Sequence, residues 1–462
     1  MNLKSTKYLL LVLSIFVLVS CGGSGDTDVA SPGELAPLTA PSGTDNFAAT
    51  TSTLLTGTCP SSPFISDNAT LGGNTLCAIS GPITSDLTLT TDVMYRLSGL
   101  VDVGKDMGGN GLKAGGVSAT LTIPAGVTLA QKTPDDYLVV QRGSKIMANG
   151  TRSNPIRFTA ASAIDGSLTN PDSASGLWGG IVILGKAPIN RCAAANLNTA
   201  DCERVVEGST TAIMGGATPT DNSGVLNFVR VEYAGKEIFP GNELNGITFG
   251  GVGSGTEVDY VQVHNNQDDC VEFFGGTVNA SNLLVWGQGD DGLDIDQSYA
   301  GTISNAIVIA NSTSDHGLEI DGPEGSMNDS FKLENITLIG DGTAGNGEYA
   351  DFRKGALGSV NNLFAYGFQV GKDFELDAEA DSASFEAGTL TFSNIEIIIP
   401  DGSSLTGGDL FNDKSDTPNA MFEDAKNLDG ETFGKGVTKE TSSVGADRSA
   451  FSWTFANYKG KL

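Results

Sequence analysis

Asp268-Asp269-Cys270-Val271-Glu272-Phe273, Asp290-Asp291-Gly292-Leu293-Asp294-Ile295 and Asp315-His316-Gly317-Leu318-Glu319-Ile320 can be laid over one another, at steps of 22 and 25 residues. Each line ends in a small residue, an apolar residue, an acid and another apolar residue, after a pair that is acidic in two cases and Asp-His in the third. Strands this short cannot bury a face alone, so a repeat of this length implies a solenoid whose rungs stack. Stacked strands lie about 4.8 Å apart. The acids therefore form columns closer than like charges tolerate without a cation, a shared proton or a basic partner.

A second strand set supports the architecture: Asn227-Phe228-Val229, Asp259-Tyr260-Val261, Asn282-Leu283-Leu284, Asn305-Ala306-Ile307, Asn335-Ile336-Thr337, Asn362-Leu363-Phe364 and Asn394-Ile395-Glu396. Six of these seven begin with Asn. An Asn at a bend can bond to its counterparts above and below, satisfying backbone groups that a tight corner would orphan. Such a ladder predicts an all-β chain folded as a right-handed parallel β-helix, and the 61 glycines suit its many corners. The acidic set extends to Ile247-Thr248-Phe249 before and to Ala350-Asp351-Phe352 and Phe374-Glu375-Leu376 after. Side chains alternate across a strand. The apolar neighbours thus point inward, while Glu272, Asp294, Glu319, Asp351 and Glu375 point outward as an acidic stripe five rungs long.

Less regular rungs precede these, around Ala119–Leu129, Tyr137–Val140, Pro155–Thr159 and Gly176–Asn190. After them, Pro418–Leu428 can form a short helix, and the aromatic segment Phe451–Ala456 suits the plugging of an open solenoid end. The expected organisation is a leader over 1–20, a flexible tether over 21–58, the β-helix over 59–417 and a cap over 418–462.

The leader has Lys4 and Lys7 before an apolar run, Tyr8–Leu18, too short to span a bilayer comfortably. Leu18-Val19-Ser20-Cys21 resembles a bacterial lipobox, which implies a lipidated, palmitate-bearing Cys21 as mature N-terminus, and the following Gly22 implies sorting to the outer membrane. Residues 22–58 are rich in Gly, Ser, Thr, Ala and Pro and read as a tether. Removing the leader leaves 24 basic against 55 acidic residues, a net charge of −31. Nucleic acid and anionic lipid are poor partners for such a surface. With Cys21 committed to lipid, the spacing pairs Cys59 with Cys77 and Cys192 with Cys202, leaving Cys270 as a small buried thiol.

The phrases Gly176–Asn190, Asp221–Leu226, Glu243–Thr256 and Glu272–Thr277 resemble a family of β-helical bacterial outer-membrane and secreted proteins of unsettled function. Some of its members look like companions of TonB-dependent outer-membrane receptors. Asn266-Gln267-Asp268-Asp269, Gly289-Asp290-Asp291 and Asp315-His316-Gly317 resemble the active-site lines of polygalacturonases, enzymes of the pectin-lyase-like fold. That resemblance implies Asp290 as general acid, Asp269 and Asp291 as the pair activating water, and His316 as their tuner. The first line lacks its Thr, the third has Asp for its first Gly, and Arg353 and Lys354 are adjacent, so on a strand they point to opposite faces.

Three readings of the acids stand open: a solvated, aggregation-blocking face, a cation site, and a glycosidase centre. For a cation the candidate ligands are Asp268, Asp290, Asp315, Glu272, Asp294 and Glu319, and their oxygens favour Ca²⁺. The leading expectation is a surface lipoprotein, leaning away from catalysis, that offers an acidic face to a ligand, a cation or a receptor. The alternative is a polysaccharide-degrading hydrolase with a glycan as partner. Each buried acyl CH₂ is worth about 0.8 kcal/mol. Cys21→Ala should therefore release the protein from the membrane or stall its processing; mature variant that still pellets with membranes would contradict the anchor.

Overall fold

A computed structural model describes residues 53–239, 242–342, 347–400, 403–423, 434–438 and 441–462. The leader, Cys21 and most of the tether lie outside these residues. The chain winds as a parallel β-helix with two long sheets, one of 16 strands and one of 10. Among the described residues only the first pair, Ile65–Leu71 with Asn74–Ile79, is antiparallel in the large sheet, and the Cys59–Cys77 disulfide ties it down. The irregular early coils supply Thr120–Pro124, Thr128–Gln131, Tyr137–Val140, Ile156–Ala160 and Gly180–Leu184 to the stack.

In the regular part each coil gives one long strand to the large sheet, such as Asn279–Trp286, and one short strand to the small sheet, such as Leu293–Asp296. Inward positions form continuous apolar columns, Val261, Leu283, Ala306, Ile336 and Leu363 among them, all buried. Phe249 stacks on Phe273 at 5.1 Å between centroids, and Phe374 on Phe411 at 5.1 Å. Each such side chain contributes about 1.5–3 kcal/mol by leaving water.

Each long strand bends at one residue of positive φ, and these residues stack as a corner column. Asn282, Asn305, Asn335, Asn362 and Asn394 adopt φ of 51–59° there, a conformation that Asn tolerates better than most residues. Asn305 donates to Asn282, and Asn362 to Asn335 at 3.1 Å. The first two rungs correct the expected register by one position. Val229 and Val261 pair with Leu283, so the residues at the corner are Phe228 and Tyr260, while Asn227 and Asp259 align with Ser281. The two aromatic rings, at φ of 48° and 51°, stack at 4.3 Å, so ring contact replaces the amide ladder.

The C-terminal end is closed by Phe422 of helix Ala420–Glu423, fully buried and edge-on to Phe411 at 5.7 Å. A further strand, Gly434–Gly436, extends the large sheet within the segment expected as cap. The aromatic segment Phe451–Ala456 does not plug an end. It lies along the outer face of the large sheet, where Phe451 packs with Leu284 and Ile307 and Trp453 sits edge-on to Phe228. This strap is pinned rung by rung: Ser443 N–H to Glu396, Ala446 N–H to Thr337, Asp447 N–H to Asn305 and Phe455 N–H to Gln262, at 2.6–2.9 Å. Its burial follows from the apolar outward residues of those rungs, which would otherwise face water.

A second disulfide, Cys192–Cys202, closes the insertion that folds over Val139, Val182, Leu184 and Phe274 on the small sheet. Cys270 is a buried free thiol whose pKa burial pushes up. The corner column yields a stability test. Asn335→Ala should cost about 1–2 kcal/mol, the penalty of a left-handed backbone without Asn, whereas Asn335→Gly should cost less; equal losses in urea unfolding would contradict the corner's conformational role.

Candidate functional site

The register aligns Glu272, Asp294, Glu319, Asp351 and Glu375 on consecutive strands of the small sheet. Their order matches the expected stripe, but their environment does not. These residues are only 4–9% exposed, so the stripe is a covered trough rather than a solvated face. Strand alternation sets a direction away from the core; it says nothing of what lies above. Part of that cover is Asn245, which donates to Glu272.

Asp269, Glu272 and Asp294 each bring a carboxylate oxygen within 4.8 Å of the others, and all three are buried. Burial first, then repulsion from neighbouring acids, raises all three well above the ordinary carboxylate range. Among the described residues none of the three forms an ion pair with lysine or arginine. Asp294 Oδ1 and Asn245 Oδ1 are buried without a hydrogen-bond partner. Half-buried Asp268 and exposed Asp290 join Asp269 in an adjoining group of the same 4.8 Å spacing. Burial and then Asp290 push Asp268 up to about 8.

Of the residues matched to a hydrolase, Asp269 and Asp291 are bound into the rungs. Asp291 N–H donates to Asp269 Oδ1 at 2.9 Å, and His316 N–H to Asp291 Oδ1 at 2.8 Å. The His316 ring Nδ1 also lies 2.9 Å from Asp291 and 3.6 Å from Glu319. Asp290 and Asp315 are exposed, and Asp315 N–H donates to the Asp290 carbonyl at 2.8 Å. Partial burial, then Asp315, raises the Asp290 carboxyl.

The downstream half is compensated. Arg353 grips Asp321 with two nitrogens and also contacts Glu319; Lys354 contacts Asp321 and Glu324; Lys414 contacts Glu375. Arg353 and Lys354 thus converge on one carboxylate, against the expectation of opposite faces. The reason is that Lys354 has left the strand with φ of 54°, which turns its side chain back. Asp296, Asp321 and Glu324 form a further cluster that the sequence reading missed. Its signal was available, because Asp296 and Asp321 lie two residues beyond Asp294 and Glu319 and share their face.

The raised carboxyls set a pH dependence. Folded values of about 8 for Asp268, about 7 for Asp351 and about 6 for Asp373 lie above the unfolded 3.8. Their stabilising contribution is complete below pH 4 and lost as pH rises through 6–8. Asp106 and Glu232, held near 2 despite burial by Arg142 and Arg157 respectively, act oppositely and lose theirs below pH 4. Metal-free protein should therefore show its urea midpoint falling from pH 5 to pH 8. A flat or rising midpoint would contradict the burial of the trough.

Among the described residues no helix is long and apolar enough to cross a membrane. No curated protein and no solved structure matches the chain. The model of a pectate-lyase-like beta helix domain matches residues 81–453. With most of the chain covered, and with two parallel sheets in register, the chain belongs to the pectate-lyase-like β-helix family.

Proposed function

We propose that this protein is a lipid-anchored outer-membrane β-helix whose small sheet buries a divalent cation, Ca²⁺ by preference, at Asp269, Glu272 and Asp294, and whose acidic surface is offered to a ligand or a TonB-dependent receptor. The observation that carries the cation reading is the trio itself: three buried carboxylates within 4.8 Å of one another, none of them ion-paired with a base among the described residues. Such a group must hold protons or a cation. A hard, oxygen-only set favours Ca²⁺, which takes six to eight oxygens. The anchor rests on the lipobox-like Leu18–Cys21 and the tether behind it.

Ca²⁺ should raise the melting temperature by mass action, with about 2.7 kcal/mol at a hundred times Kd. Asp294→Asn should abolish that shift and, by relieving repulsion, raise the melting temperature in EDTA at pH 8. A wild type insensitive to Ca²⁺, or a variant destabilised in EDTA, would contradict the cation reading.

A second reading, hydrolysis of an acidic polysaccharide, is favoured by exposed Asp290 with its raised carboxyl beside the Asp291–His316 pair. Asp290 would protonate the leaving oxygen. Release of reducing ends from polygalacturonate, lost in Asp290→Asn, would establish it; no release from the Ca²⁺-loaded wild type would dismiss it.

A further inference from the structure

We propose that the C-terminal strap is an acid-released latch: a proton on His264 breaks the side-chain relay that pins Phe455, and the strap then lifts from the apolar outer strip of the large sheet. Gln262 and His264 stand two residues apart on strand Glu257–His264, so they share the outward face beneath the strap, 0% and 1% exposed. Gln262 Oε1 accepts the Phe455 N–H at 2.6 Å, and Gln262 Nε2 lies 2.6 Å from His264 Nδ1. A backbone N–H can only donate, so the strap sets the orientation of the amide. Its nitrogen then donates to Nδ1, which must be unprotonated. The neutral ring thus carries its hydrogen on Nε2, an atom buried without a partner. Phe455 stacks on the imidazole at 4.9 Å and Trp286 at 5.8 Å.

This arrangement has no place for a second proton. On Nδ1 it would face the Gln262 amide nitrogen, donor against donor. Turning the amide over satisfies the imidazolium but sets that nitrogen against the Phe455 N–H. One contact is lost either way, in a dry site where an unmet donor is costly. The charged groups around the ring do not rescue the imidazolium. Glu232, its register partner in the preceding coil, is engaged by Arg157 at 2.6 Å. Arg230 and Lys459 add positive charge, Lys459 being paired with Asp172 at 2.8 Å, and Tyr233 sits edge-on at 5.3 Å. Burial first, offset by Glu232 and reinforced by Arg157, Arg230 and Lys459, brings His264 down to about 4.

With the covered value below the free value of 6.5, closure is complete above pH 6.5 and weakens as the pH falls to 4, by at most about three hundredfold in the closing constant. The acidic trough gains stability over the same fall, so release is a local event on an intact body. Ala446 and Asp447 are held by Thr337 and Asn305, which do not titrate in this range, so the upstream part of the strap stays attached. The part that lifts covers Leu284, Trp286, Ile307 and Ile309.

The test is amide hydrogen exchange of the whole protein at pH 7, 5.5 and 4, in Ca²⁺ and in EDTA, with rates corrected for the intrinsic effect of pH. Protection over residues 451–458 is expected to fall roughly tenfold or more between pH 7 and pH 4 in both samples, while protection over residues 283–285 holds. His264→Phe keeps a ring against Phe455 and takes up no proton, so its strap should stay protected at pH 4. Gln262→Glu should also stay protected, because its carboxylate accepts from the Phe455 N–H and from a protonated Nδ1 alike; should His264→Phe not fold, this variant decides alone. Unchanged protection in the wild type overturns the proposal, as does an equal loss over residues 283–285, a loss confined to EDTA, or a loss that persists in either folded variant.

Discussion

Parallel pairing in strict register places equivalent residues one strand spacing, about 4.8 Å, apart, and every distinctive feature of this molecule follows from what each column does with that spacing. Apolar columns gain from it, because Val, Ile and Phe pack on their equals and close the core. Amides gain as well, since an Asn can donate to its counterpart in the preceding coil, as Asn362 does to Asn335. Carboxylates lose. A column that runs Glu272, Asp294, Glu319, Asp351, Glu375 is a stack of like charges, and its burial removes the water that would screen them.

The chain resolves that conflict in two ways along one trough. Downstream, Arg353, Lys354 and Lys414 supply the opposite charge from within, and Lys354 adopts a left-handed backbone conformation to do so. Such a backbone costs of order 1–3 kcal/mol and persists only where surrounding contacts hold it. Upstream, among the described residues no lysine or arginine forms an ion pair with Asp269, Glu272 or Asp294, which is why the external cation is assigned there rather than to the whole stripe. Asp269 and Asp291 also accept amides from the next rung, so these two acids contribute to the stacking of the coils whatever else they bind.

The fold was legible because its two periodicities are written in small, repeated chemical words, and the three acidic lines overlay in the register that the strands adopt. The slip at Asn227 and Asp259 shows the limit of such reading. A corner needs a residue that tolerates positive φ, and a pair of stacked aromatic rings at Phe228 and Tyr260 meets the need as well as an amide does. The strap around Phe451 was invisible for another reason, since its partners Leu284 and Ile307 lie some 150 residues away and no local pattern links them. Burial of the stripe was equally hidden, because alternation fixes which side of a strand a carboxylate takes but not what covers that side. Asn245 belongs to the site for reasons of packing that only the folded chain displays.

If the buried acids hold protons until a cation replaces them, Ca²⁺ binding must expel protons. Titrating Ca²⁺ into weakly buffered protein at pH 6 and counting the protons released tests this most directly. The account predicts one or more protons released per Ca²⁺ bound, fewer at pH 9. Stoichiometric binding without proton release at pH 6, or no binding at all, would contradict it.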